Sequence, residues 1–387
     1  MHSDLDGESK RLGTIGVMAV RLLLVLLTVS LGVACSSGEA RENAGSSAAR
    51  TIVTGLQVPW GIAFLPGGDA LVGERTTGHI LRISRDGSRK RVVMRLPGVD
   101  TGAGEGGLLG LAVSPAYRRD RLVYAYFTSG RDNRIVRFRL GGKVHPILTG
   151  LRRGFIHNGG RIAFGPDGKL YAGVGETGDT SLAQDLDSLN GKTLRLNPDG
   201  SVPSGNPFPG SLVWSLGHRN VQGLAWDKSG RLWATEFGQD MFDEVNVIRR
   251  GHNYGWPQVE GRGSTDGGRF TNPVATWRTS DASPSGAAIR RGILYIGALK
   301  GQAVLRLRLD GAHAHKLHPL LQGDFGRIRT VARAPDGSLW VSTSNRDGRG
   351  DPAAATTAFC ACAELVPSRL ARAADSAHHP GGSADRG

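Results

Sequence analysis

The sequence predicts an all-β fold, a six-bladed β-propeller, and three observations carry that expectation. Glycine is abundant, 58 of 387 residues against 11 Phe, 7 Trp and 6 Tyr, and it follows no collagen period, so the chain turns often. One pattern recurs six times: a small or β-branched residue, Ala, an apolar residue, a turn, then a second apolar run. No convincing amphipathic helix interrupts the copies. Repeats of this kind cannot bury their faces alone and must stack on their neighbours. A sandwich would need fewer of them.

Residues 1–34 read as a signal peptide. A polar stretch precedes Met18-Ala19-Val20-Arg21, and Leu22 to Ala34 carries no charge. That run is too short to span a bilayer and has the length of a signal-peptide core. Met18 is an alternative start. Leu31-Gly32-Val33-Ala34-Cys35 resembles a lipoprotein cleavage box, so the chain is expected to be exported. It would be anchored by lipid on Cys35, at the outer face of the cytoplasmic membrane or in the cell envelope. Residues 35–50, rich in Ser, Ala and Gly, form a tether.

The propeller is expected over 51–355. Its copies run Gly61 to Glu74, Gly110 to Phe127, Arg161 to Glu176, Gly223 to Glu236, Gly286 to Leu299 and Thr330 to Ser344. Pro-Asp-Gly at 166–168 and at 335–337 makes a turn for physical reasons. Pro presets φ, Asp bonds its own backbone, and Gly takes a positive φ. Hydrophobic residues make up 39% and charged ones 21%, enough for a real core. Net charge is +14. The basic residues are scattered along strands with no Lys/Arg run, so nucleic acid is not expected as a partner and an anionic ligand is.

Gly102 to Gly107 formally fits G-x-G-x-x-G, but a strand follows it where a dinucleotide site needs a helix. A tight loop at a blade entrance fits better. Cys360 and Cys362 lack further metal ligands nearby and, with Cys35, are the only cysteines, so no disulfide framework exists. His157 precedes the third copy, in a loop of the propeller face, where a neutral imidazole accepts a proton near pH 7. Arg219, Asn220, Lys300, Arg327 and Arg329 lie in three blade-entry segments that a propeller gathers at one mouth. Cations converging there would repel one another without an anion. Asp240, Asp243 and Glu244 make an oxygen-rich loop suited to a hard cation.

GEGGLLGLAVSPAY, HNGGRIAFGPDGKLY, SLGHRNVQGLAW, DEVNVIRRGHNYGWP, SPSGAAI, ALKGQ and GRIRTVARAPDGSLWV resemble, in that order, the soluble aldose sugar dehydrogenases of the glucose/sorbosone dehydrogenase family. These enzymes use pyrroloquinoline quinone. The resemblance runs from about Thr51 to Pro352 and implies a six-bladed propeller. It implies that His157 is the general base, taking the proton of an anomeric hydroxyl as hydride passes to the quinone. Arg219 would stabilise developing charge on the quinone. Asn220, Lys300, Arg327 and Arg329 would hold the cofactor's oxygens and carboxylates, and Glu105 would touch substrate. The main-chain carbonyls of Gly238 and Gln239 would hold an active-site calcium. Glu244 and the Tyr254 carbonyl would hold a second. The chain departs from the family at Phe237-Gly238-Gln239, where His-Gly-Pro is usual. It departs again at Ile156, where a polar residue is common, and at Thr330, where Asp is usual.

The expected function is oxidation of aldoses to lactones, with electrons passed to an external acceptor. The assembly is left open to a homodimer. The rival readings are a calcium-dependent propeller hydrolase of the lactonase kind and a non-catalytic binding propeller. Residues 356–387 form a divergent tail. Read one base back, the codons for Thr356 to Cys362 can encode a strand like Asp-Asp-Arg-Ile-Leu-Arg, so an out-of-frame tail with an unpaired edge at the ring's seam is expected.

Overall fold

The computed structural model describes residues 49–102, 104–350 and, as backbone, 362–365. The signal-peptide and anchor expectations at 1–48 lie outside these residues, as does most of the tail. Over the described residues the chain is an all-β propeller. Five sheets are blades of four consecutive antiparallel strands, here blades 1 to 5, at 59–95, 108–151, 162–216, 221–278 and 284–320. The expectation of six blades needs a correction: five such blades are found among the described residues. The remaining four-stranded sheet is composite, in the order Ala49–Val53, Cys362–Leu365, Leu339–Thr343, Ile328–Arg333.

The first strand of each blade lies innermost. Pro59–Phe64 packs against Leu108–Val113 of blade 2 on one side and Ile328–Arg333 of the composite sheet on the other. The inner strands are buried almost throughout, whereas outer strands such as Lys90–Arg95 and His313–Leu320 are largely exposed or half-buried. Apolar clusters fill the seams between neighbouring sheets. Ile80, Leu108 and Phe138 join blades 1 and 2, and Ile62, Val72 and Trp340 join blade 1 to the composite sheet.

The glycine that opens four of the six repeats, at 61, 110, 223 and 286, has a steric reason. Inner strands meet so closely that a Cβ on Gly110 would lie 2.2 Å from the Gly160 carbonyl oxygen, and one on Gly223 2.5 Å from that of Ser285. The Pro-Asp-Gly turns form as expected. Gly168 and Gly337 take φ of 71° and 83°, and each preceding Asp accepts from the amide two residues on, at 3.1 and 2.9 Å. Residues 104–107 lead directly into strand Leu108–Val113, with Gly107 at φ 119°.

The expected unpaired seam is not found. Cys362–Leu365 pairs with Ala49–Val53 on one edge and Leu339–Thr343 on the other. Four extended residues suffice for both ladders, because β pairing is made by backbone groups that any of these residues supplies.

Candidate active site

The blade-entry loops enclose a cavity of about 1050 Å³ on one face of the ring. Among the expected residues, Glu105, His157, Arg219, Gly238, Gln239, Lys300, Arg327 and Arg329 all line it. They come from 105 to 329 in the chain and meet because every blade presents the same loop to the same face. Asn220, Glu244 and Tyr254 do not line it.

His157 is held in one orientation. Its Nδ1 lies 2.8 Å from Glu176 Oε1, its backbone N–H donates to Glu105 Oε2 at 2.9 Å, and its side chain is 12% exposed. Its φ is 53°, an uncommon conformation for a non-glycine residue. Gly175 makes room for it, since a Cβ there would sit 1.9 Å from the His157 carbonyl oxygen. Glu176 is fully buried and its second oxygen accepts from the Gly178 amide. With Nδ1 facing a carboxylate, Nε2 is the nitrogen left for a substrate.

The Arg219 segment is braced from below. The N–H groups of Arg219 and Asn220 both donate to Glu236 Oε1, and Glu236 Oε2 lies 2.9 Å from His218 Nδ1. His218 is wholly buried, bonded to Ser215 Oγ at 2.8 Å and stacked on Tyr254. The Arg219 guanidinium rests over the Trp256 ring, 5.5 Å from its centroid. Asn220 differs from expectation. It is buried below the cavity wall, where its side-chain oxygen accepts from Gly159 N–H at 3.1 Å and from Gln222 Nε2 at 2.9 Å. That oxygen fixes the turn behind His157 and does not face the cavity.

Arg327 and Arg329 share one carboxylate, Asp347, at 3.1 and 3.7 Å. Burial would raise the Asp347 pKa, but the two guanidinium groups hold it below the ordinary carboxylate range. Burial, and then neighbouring Arg75, lowers Arg329 to about 9, so it stays charged at neutral pH. Arg75 also lines the cavity. The Nε atoms of Arg75, Arg219, Arg327 and Arg329 are buried with no acceptor among the described residues. Four guanidinium side chains lining one space suit a polyanionic ligand. Trp60 lines the floor, with Arg161 stacked beneath it at 4.0 Å. Thr330 is accounted for here: its hydroxyl accepts from Arg161 Nη2 and donates to the Trp60 carbonyl.

The loop 237–242 offers the cation ligands. The Phe237, Asp240 and Met241 carbonyls accept from Arg219 Nη1, Thr279 Oγ1 and Thr279 N–H. No described residue donates to the Gly238 or Gln239 carbonyl. Two adjacent free carbonyls in the wall of a polar cavity fit a hard cation. Among the described residues, no group of three or more His, Cys, Asp or Glu side chains is arranged to hold a metal ion, so main-chain oxygens would have to. Glu244 and Tyr254 line a separate small cavity with Glu236 and Glu260. Burial, and then the facing Glu236, pushes the Glu244 carboxyl well above its usual range, and a cation there would relieve this. Asp243 joins the main site from below. Its carboxylate accepts from Gly238 N–H at 3.0 Å and from Ser283 N–H of the next blade at 2.7 Å.

Sequence reading missed Glu176, Glu236, Arg75, Asp347 and Glu260. For two of them a signal existed: the first, third and fourth repeats all end in Glu, at Glu74, Glu176 and Glu236.

The family model for glucose/sorbosone dehydrogenase matches residues 56–351. The aldose sugar dehydrogenase YliI of Escherichia coli is 30% identical over 76% of this chain and 89% of its own length. The quinoprotein glucose dehydrogenase B of Acinetobacter calcoaceticus is 31% identical over 63% of this chain and 60% of its own. Among solved structures, the quinone (PQQ)-bound aldose sugar dehydrogenase of Streptomyces coelicolor is 50% identical, with a TM-score of 0.77 over 82% of this chain and 98% of that one. This chain belongs to the glucose/sorbosone dehydrogenase family of oxidoreductases.

Proposed function

We propose that this chain oxidises aldoses at the anomeric carbon to lactones, using pyrroloquinoline quinone and calcium, and passes electrons to an external acceptor. The observation that carries the reading is the set of four arginines, Arg75, Arg219, Arg327 and Arg329, lining the same cavity as His157, which Glu176 holds. When bound, the quinone supplies a hydride acceptor, and calcium polarises it. Arg75, Lys300, Arg327 and Arg329 would hold the cofactor's carboxylates, and Arg219 would stabilise negative charge beside its quinone oxygens. His157 Nε2 takes the proton of the anomeric hydroxyl. Glu176 fixes the ring and stabilises the imidazolium that forms. Glu105 serves two roles: it holds the His157 amide and presents a carboxylate, paired with Arg349 at 2.8 Å, to the sugar. The Gly238 and Gln239 carbonyls hold the active-site calcium, and Glu244 with the Tyr254 carbonyl holds a second. The composite sheet serves as the sixth blade. The chain works outside the cytoplasmic membrane, tethered through lipid on Cys35.

The test is reconstitution. Quinone and calcium added to purified apoprotein should give aldose-dependent reduction of a dye across a panel of sugars. A protein that binds the quinone but reduces dye with no aldose refutes the activity.

A further inference from the structure

We propose that Glu260 is the positioning residue that turns the Gly238 and Gln239 carbonyls into the cavity. The proposal rests on the calcium reading above. One oxygen of Glu260, Oε1, accepts from four consecutive backbone amides: Gln239 at 2.7 Å, and Asp240, Met241 and Phe242 at 3.1 Å each. A trans peptide is planar, and its N–H and the preceding C=O point in opposite directions. Holding the amides of 239 and 240 on Glu260 therefore directs the carbonyls of 238 and 239 away from it. Those two carbonyls have no donor among the described residues. The next two, at 240 and 241, are directed away in the same manner and land on Thr279. The loop thus sorts its carbonyls into two bonded to protein and two left for a cation.

Solvation alone does not call for this cap. Gln239, Asp240 and Met241 are exposed, so water would satisfy their amides without Glu260. What the carboxylate adds is direction, together with a negative charge behind the carbonyls. Its own place is fixed. The adjoining Gly261 amide donates to Glu244 Oε1 at 2.6 Å, and Gly261 must be glycine, because a Cβ there would lie 2.5 Å from the Phe242 ring at φ 73°. Gly238 carries a related constraint, with a Cβ falling 2.0 Å from the Phe242 carbonyl oxygen.

The test uses Glu260→Gln in the full chain, with calcium and pyrroloquinoline quinone as probes. Hydrogen exchange of the apoprotein in chelator should show amides 239–242 exchanging at least tenfold faster than in the parent, with strand Leu232–Glu236 unchanged. The calcium concentration for half-maximal quinone retention, followed by absorbance without substrate, should rise at least tenfold. At saturating calcium, retention should return to the parent's level, which a merely unfolded site would not do. If Glu260→Gln fails to fold, Glu260→Asp keeps the charge but draws it back from the amides, and the same shifts are expected. A parent that responds to calcium alongside a variant with the same midpoint overturns the proposal alone. A parent whose quinone retention ignores calcium overturns the calcium reading and the proposal with it.

Discussion

His157 depends on two neighbours with different roles. Glu176 sets which ring nitrogen is free, and Glu105 holds the backbone that places the ring. Replacing His157 by Ala removes the proposed base but touches none of the four arginines that line the cavity. Turnover should fall about 10²–10⁴-fold, with quinone affinity nearly intact; parent-rate dye reduction by the variant would discard the role. Asp347 gives a residue-scale prediction with a sign. Its pKa is depressed, chiefly by Arg327 and Arg329 working against burial. A depressed carboxyl contributes stability that is complete above its unfolded pKa and is lost as pH falls through the folded one. In apoprotein, Asp347→Asn should therefore cost about 1–3 kcal/mol at neutral pH, and the gap between variant and parent should close in acid. Denaturant unfolding at both pH values measures it, and a gap that ignores pH would rule out the ion pairs as its source.

At the scale of elements, the repeat does chemical work as well as packing. In blades 1 and 4 the second strand ends in Glu, in blade 3 Glu176 follows it by two residues, and each carboxylate reaches back to the segment before its own first strand. Glu74 takes the Gln57 amide, Glu176 takes His157, and Glu236 takes His218 with the Arg219 and Asn220 amides. One structural brace thus serves a plain loop in blade 1 and the reacting groups in blades 3 and 4. Turns, inner strands and this Glu position were legible in the sequence because they are local and recur at the repeat spacing. Glu260, Asp347 and the burial of Asn220 were not, because their partners are fixed by how the loops fold over one another. Gly175 directly follows the second strand of blade 3, and its missing side chain admits the His157 carbonyl. Gly175→Ala must push that backbone away, since a Cβ at 1.9 Å cannot be accommodated. The variant should retain the far-ultraviolet circular dichroism of a β protein, while turnover falls at least tenfold. Full turnover would mean that the position of His157 is less constrained than its surroundings indicate.

At the scale of the whole molecule, the ring is closed by residues from its two ends. Blades 1 to 5 are each complete within one stretch of chain, so a local fault there stays local. The composite sheet is different, because Cys362–Leu365 sits between Ala49–Val53 and Leu339–Thr343 and pairs with both. Removing it leaves two facing edges unpaired and detaches the N-terminal strand, whose Ile52 and Val53 are buried against blade 1. Exposed edges of this kind also invite pairing with other chains. The site residues all lie before this strand, so truncation after Ala361 should leave the cavity formed but the ring loosely closed. The two ladders span four residues each. At about 0.5–1.5 kcal/mol net per hydrogen bond, the loss should reach about 3 kcal/mol or more. That corresponds to a fall in Tm of roughly 5–10 °C, with aggregation on heating. Thermal unfolding of the truncated chain beside the parent measures the change. An unchanged Tm would show that Cys362–Leu365 does not hold the seam, and a strand encoded by the alternative frame from about Thr356 would then be the one to build in and test.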